Sequence, residues 1–153
     1  MRRKAKLVKA KHGLRAIFID YLQLMHIEGS KPEEQRIGEL TEITRSTKLL
    51  AKELDVPVIL LSQLNRGVEY RNNKRPMLPD LRECGSIEQD SDIVAFVYRD
   101  NYYTDAEDKT LEVIVRKNRS GPTGTVKLCY EHEYERISDL ATGDIEESDG
   151  VFF

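Results

Sequence analysis

The amino-acid sequence predicts an α/β fold with a mostly parallel sheet, flanking helices and an antiparallel hairpin near the carboxyl end. Two apolar runs, 15–20 and 56–62, flank a long amphipathic helical pattern, which is the order of a crossover between parallel strands. Further runs with strand character follow at 93–98, 110–116, 126–130 and 134–137, the last two around a polar turn. The 153 residues are about the length of one domain, or of part of one.

Three helices are expected around these strands. Residues 2–11 lack Pro and Gly and end before Gly13, which can adopt a left-handed cap. Residues 30–33 form a capping box, after which apolar side chains recur at helical spacing as far as Leu54. A shorter helix is expected within 81–91.

Composition and charge exclude several classes of protein. With 39% hydrophobic and 33% charged residues, the chain has too many apolar clusters to be disordered. Its two cysteines do not form a disulfide scaffold, so we expect a reducing, cytoplasmic location. The longest apolar run is 93–98, so neither a signal peptide nor a membrane span is expected. The net charge of -3 combines a basic start, 1–15, with an acidic end, 131–153.

Two polar side chains end neighbouring strands of the expected parallel pair. Asp20 follows the first apolar run, where open α/β sheets bind ligands, so its carboxylate could hold Mg²⁺ beside nucleotide phosphates or could cap the next turn. Gln63 follows the second run, where its amide could sense a terminal phosphate or could hydrogen-bond loop backbone. Spacing leaves both choices open.

Two groups of cations are candidates for phosphate contact. The loop 65–82 carries five basic residues, and Gly85 after it would let backbone N–H groups approach a phosphate, although such runs are also found on solvated surfaces. Lys117 and Arg119 flank a turn, where they could stabilise a transferring phosphoryl group or only keep the surface soluble. No G-x-x-x-x-G-K-[ST] phosphate loop occurs among the 153 residues.

Four strings of residues, taken together and in order, resemble the bacterial replicative DNA helicase of the DnaB type. They are IFIDYLQLM at 17–25, RSTKLLAKELDVPVILLSQLNR at 45–66, KRPMLPDLRECGSIEQDSD at 74–92 and KNRSGPTG at 117–124. The resemblance covers roughly residues 1–140 and is more specific than any single motif. Cys84 departs from it, because Ser is usual there.

This resemblance implies part of a RecA-like motor domain that works as a ring, a hexamer in the complete protein. ATP and Mg²⁺ would bind between adjacent subunits and single-stranded DNA would pass through the centre. Asp20 corresponds to the Walker B carboxylate and metal ligand, and Gln63 to the phosphate sensor. Lys117 and Arg119 correspond to a finger that reaches the neighbouring subunit's nucleotide. Arg82, Glu83 and Gly85 correspond to the loop that tracks the DNA backbone.

The resemblance also sets expectations for the limits of the chain. Residues 1–140 correspond to the carboxyl-terminal part of the ATPase domain, and 141–153 form an acidic, flexible tail. The family's phosphate loop and catalytic Glu come before this segment, so we expect no ATP hydrolysis by the 153 residues alone. One alternative is a stand-alone module that binds single-stranded DNA or docks on intact helicase subunits. Another RecA-like ATPase, such as a recombinase, would not explain the string at 74–92.

Overall fold

The computed structural model describes residues 1–27, 36–81, 85–104 and 108–140. They form two compact units, which we call the helical unit (Met1–Arg71 and Pro79–Ser91) and the sheet unit (Asn72–Leu78 and Asp92–Phe153). The capping box, Arg82, Glu83 and the acidic tail lie outside the described residues. None of the helices in the described ranges is long and apolar enough to cross a membrane.

The helical unit contains the predicted strand–helix–strand crossover. Its elements are α1 (Arg2–His12), β1 (Ile17–Ile19), α2 (Arg36–Leu54), β2 (Val58–Leu60) and α3 (Gly85–Asp90). Strands β1 and β2 pair in parallel, as predicted, with Ile17 opposite Val58 and Ile19 opposite Leu60. Helix α1 ends at Gly13, whose φ of 74° is in the region that favours glycine.

One face of α2 forms the core of the helical unit. Its first half packs Leu40 and Ile43 against Leu22, and Leu60 and Ile87 join this cluster. Its second half forms another cluster, made of Leu50, Leu54 and Val56 with Ala5, Leu14 and Ile17 around it. The predicted apolar spacing of α2 therefore describes its buried face, except that Ile37 is 60% exposed.

An apolar run such as that at 15–20 is typical of a strand buried on both faces, but within the described residues the parallel pair is covered on one face only. Phe18 of β1 lies opposite Ile59 of β2, and these side chains are 75% and 37% exposed. Their neighbours Ile17 and Leu60 point the other way and join the clusters around α2. The described residues thus leave an apolar cross-strand pair in water.

The sheet unit is a four-stranded antiparallel sheet. Strands β3 (Ile93–Tyr98), β4 (Thr110–Asn118), β5 (Gly124–Glu131) and β6 (Arg136–Asp139) pair in chain order. The α/β class and the antiparallel carboxyl-terminal hairpin are confirmed, but the parallel pairing is confined to β1 and β2 in the described residues. Only eleven residues join β3 to β4, fewer than a parallel crossover usually needs, so the two strands pair antiparallel.

The core of the sheet unit includes a charged pair beneath an aromatic ring. Tyr98 is buried and donates a hydrogen bond to Asp100 at 2.6 Å. Burial, and then the Asp100 carboxylate, raise the pKa of Tyr98 to about 12. The Arg75 guanidinium lies 5.2 Å from the centre of this ring. It also forms a bidentate ion pair with the buried Glu112. Arg75 is therefore part of the scaffold.

Candidate functional site

The structure places Asp20 and Gln63 at the same edge of the parallel pair. Backbone pairing continues past both strands, because Leu61 N–H donates to the Ile19 carbonyl at 3.0 Å and Leu22 N–H donates to the Leu61 carbonyl at 2.9 Å. Asp20 lies within this extension and Gln63 lies two residues after Leu61, and both are exposed. The carboxyl edge thus presents one carboxylate and one amide to solvent, as the strand pattern predicted.

The Asp20 carboxylate makes no hydrogen bond or ion pair within the described residues. The 3₁₀ turn that follows, Leu22–Leu24, has no side-chain cap, so the structure does not support a capping role for Asp20. The described residues also contain no cluster of three or more metal-ligating side chains. A single exposed carboxylate suits Mg²⁺, which usually binds one or two carboxylates together with water and substrate phosphates.

A side chain that the sequence interpretation missed, Gln23, fixes the backbone of Gln63. The Gln23 amide accepts from Gln63 N–H at 3.2 Å and donates to the Gln63 carbonyl at 3.2 Å. It lies 3.1 Å from the Ser62 hydroxyl as well. The described hydrogen bonds of Gln63 involve only its main chain, so its side-chain amide is available to a ligand.

The start of α2 holds Gln23 in turn. Arg36 donates to the Gln23 carbonyl at 2.7 Å and to the Met25 carbonyl at 2.9 Å. The buried Glu39 pairs with Arg36 and accepts from Ile27 N–H at 2.7 Å. The segment that carries Gln23 is therefore tied to a helix end by charge-assisted hydrogen bonds.

The expected DNA-tracking loop is anchored on both sides of its undescribed residues. Before it, Asp80 is buried and accepts two hydrogen bonds from Arg71 at 3.0 and 2.8 Å. The Asp80 carbonyl also accepts from Asn65 N–H at 2.9 Å, two residues after Gln63. After it, α3 is held to α2 by Asp90, which lies 3.1 Å from the Thr44 hydroxyl. The loop thus begins and ends on fixed points.

Gly85 is the first residue of α3 and is exposed. A Cβ atom built on Gly85 would meet no described atom within 4 Å, and its φ is outside the region that favours glycine. Neither sterics within the described residues nor backbone strain therefore explains the glycine. Close approach of a ligand to the backbone at this position stays a prediction.

Lys117 and Arg119 belong to the sheet unit, at the end of β4 and in the turn that follows it. Asn118 braces this turn by donating to the Pro122 carbonyl at 3.1 Å and accepting from Ser120 N–H at 3.2 Å. Arg119 N–H donates to the Asp92 carbonyl at 2.9 Å, and its guanidinium lies 3.9 Å from the Asp92 carboxylate. The braced turn fixes the backbone from which both cations project.

The basic loop 65–82 is more structural than its charge suggested. Arg71 and Arg75 pair with the buried Asp80 and Glu112, and Lys74 lies 5.1 Å from the ring centre of Tyr103. Arg66 is exposed and has no ion-pair partner among the described residues. Most of the described loop cations therefore hold the fold together.

Three comparisons place this chain among known proteins. Residues 1–139 match the family model of the DnaB-like helicase C terminal domain. The chain is 54% identical to replicative DNA helicase DnaB of Geobacillus stearothermophilus over 142 residues, 92% of this chain and 31% of that protein. It is 51% identical, with the same coverage, to replicative DNA helicase DnaC of Bacillus subtilis. The chain thus spans about a third of these relatives.

Solved structures agree with the sequence comparison. A solved ATPase domain superposes with a TM-score of 0.84 and 46% identity, over 92% of this chain and 50% of that domain. A DnaB-like replicative helicase, described together with its interactions with primase, matches with the same score and identity over 34% of its length. The fold of the described residues is therefore similar to part of a helicase ATPase domain.

Proposed function

Because this chain belongs to the family of the DnaB-like helicase C-terminal domain, we propose that it is the carboxyl-terminal part of an ATP-driven replicative DNA helicase. One observation carries the proposal: Asp20 and Gln63 lie at one carboxyl edge with no described partner for either side chain. Such an edge suits a nucleotide phosphate with its metal ion. The assembly would be a cytoplasmic ring of identical subunits around single-stranded DNA.

At this edge, each residue has a separate task. Bound Mg²⁺ would neutralise charge on the transferring phosphoryl group. Asp20 would hold the metal, directly or through water, while Gln63 would contact the terminal phosphate or orient the attacking water. Gln23 would keep the Gln63 backbone in place while nucleotide binds and dissociates.

The two finger cations and the 82–85 loop would supply the remaining parts of the motor. Lys117 and Arg119 would stabilise phosphoryl charge in the neighbouring subunit, from the turn that Asn118 braces. Arg82, Glu83 and Gly85 would follow the DNA backbone without reading bases. The 153 residues contain no Gly-rich phosphate loop, so ATP turnover would need residues supplied by an upstream half.

Reconstitution tests this proposal directly. We expect no ATP turnover from the 153 residues and DNA-stimulated turnover when a DnaB-type upstream half is co-expressed with them. K117A or R119A should abolish the restored turnover and leave the circular dichroism spectrum unchanged. R116A is the matched control, since Arg116 is an exposed cation beside Lys117. Turnover that survives K117A and R119A would contradict the finger assignment.

A stand-alone module that docks on intact helicase subunits is the second candidate. Titration into active helicase rings separates the two functions. A docking module should inhibit ATP hydrolysis by intact rings in proportion to its concentration. Restored turnover with an upstream half, without such inhibition, would support the helicase part instead.

A further inference from the structure

Helix α1 is basic along its whole length, and only part of that charge is used inside the protein. Residues Arg2–His12 contain six Lys or Arg and no acid. On the side that packs on α2, Arg2 donates to Glu53 at 2.6 Å and Lys6 pairs with the same carboxylate. Lys9 donates to the Leu54 carbonyl. These three cations hold α1 in place.

The other three cations form an outer face. Arg3, Lys4 and Lys11 are exposed and have no ion-pair or hydrogen-bond partner within the described residues. Arg3 and Lys11 are eight positions apart, with Leu7 between them and 54% exposed, so they lie on one side of the helix. Lys4 is seven positions before Lys11 and lies on the same side.

We propose that the outer face of α1 binds the phosphate backbone of DNA, as a surface separate from the 82–85 loop. Charge complementarity selects this partner, because three unpaired cations gain by displacing counterions from phosphates. From Arg3 to Lys11 the helix rises about 12 Å, since each residue adds ~1.5 Å. That length spans roughly three phosphate steps of one strand in B-DNA.

The test compares two triple variants of the 153-residue chain that have the same net charge. R3Q/K4Q/K11Q neutralises the outer face, and K109Q/R116Q/K127Q neutralises three exposed cations of the sheet unit. Fluorescence anisotropy would measure affinity for an oligothymidine and for a DNA duplex over a range of salt concentrations. The outer-face variant should lower the slope of log affinity against log salt by about 2 for the single strand, at ~0.7 per contact. The sheet-unit variant should leave the slope unchanged.

A thermal unfolding experiment serves as the control that the variants are folded. R3Q/K4Q/K11Q should melt close to the temperature of the unchanged chain, because none of the three side chains has a partner within the described residues. An unchanged salt slope with both DNA probes would overturn the proposal, and so would an equal loss in the sheet-unit variant. R82A should lower the slope by about 0.7 on its own and add to the outer-face variant. The two surfaces can therefore fail independently.

Discussion

The segment 65–81 and the carboxyl edge of β1 and β2 contrast in how they use their polar side chains. The segment is rich in cations, yet Arg71 and Arg75 are held by the buried carboxylates of Asp80 and Glu112. The edge has only Asp20 and Gln63, and no described residue engages their side chains. Internal partners, more than the amount of charge, thus distinguish scaffold from candidate site.

We expect the largest effect on the free energy of unfolding from a substitution that removes an ion pair of segment 65–81. R75A should cost about 3 kcal/mol of unfolding free energy, because it leaves Glu112 buried without its cation. Urea unfolding followed by circular dichroism would measure it. R66A removes an exposed cation of the same segment and should change stability by less than about 0.5 kcal/mol. Equal effects in both variants would contradict the contrast.

Glycine substitutions extend the comparison to the proposed DNA-binding loop. G85A should weaken binding to single-stranded DNA about tenfold, or ~1.4 kcal/mol, because a Cβ there meets no described atom but would collide with a DNA backbone that approaches closely. G38A, on the exposed face of α2, should stabilise the chain by about 0.5–1 kcal/mol and leave DNA affinity unchanged. If G85A bound DNA normally, the close-approach interpretation would be wrong.

A substitution at Gln23 tests what holds the carboxyl edge of β1 and β2 in place. Q23E keeps the shape of the side chain but removes its N–H donors to the Gln63 carbonyl, which should cost about 1 kcal/mol at neutral pH. A protonated Glu can donate again, so the loss should shrink as the pH falls towards its pKa of about 4.3. Thermal melts from neutral to acidic pH would follow this recovery. A loss that does not depend on pH would indicate a packing defect.

The smallest expected effect concerns the exposed pairs on α1. Arg2, and then Lys6, lower the pKa of Glu53 from 4.5 to about 2. A lowered carboxyl pKa adds stability above pH 4.5, and that stability is lost as the pH falls from 4.5 towards 2. The stability difference between the unchanged chain and E53Q should therefore vanish over this range. Salt should reduce it, because the pairs are exposed; a difference that persists at pH 2 would contradict the linkage.

Local patterns predicted the helical unit well and the partners of its side chains poorly. Apolar runs and helical spacing were enough to find α1, β1 and β2 and to place Asp20 and Gln63 at one edge. The antiparallel pairing of β3 with β4 was predictable as well, because the eleven residues between them are fewer than a parallel crossover usually needs.

The side-chain contacts that local patterns did not predict join residues that are distant in sequence. Gln23 bonds to a residue 40 positions away, and Arg75 to one 37 positions away. Glu112, a carboxylate inside the apolar run of β4, was a local signal that a cation elsewhere in the chain had to pair with it. No comparable signal marked Gln23.

The exposed pair of Phe18 and Ile59 has a practical consequence for anyone handling this chain in solution. Apolar contacts strengthen in sulfate or phosphate buffers, whereas phosphate-backbone contacts weaken as ionic strength rises. Because Phe18 is 75% exposed, sulfate should promote self-association of the chain. The same high-salt conditions would weaken binding to DNA. Dilute chloride buffers should therefore give the cleanest binding curves, and light scattering should accompany each salt titration.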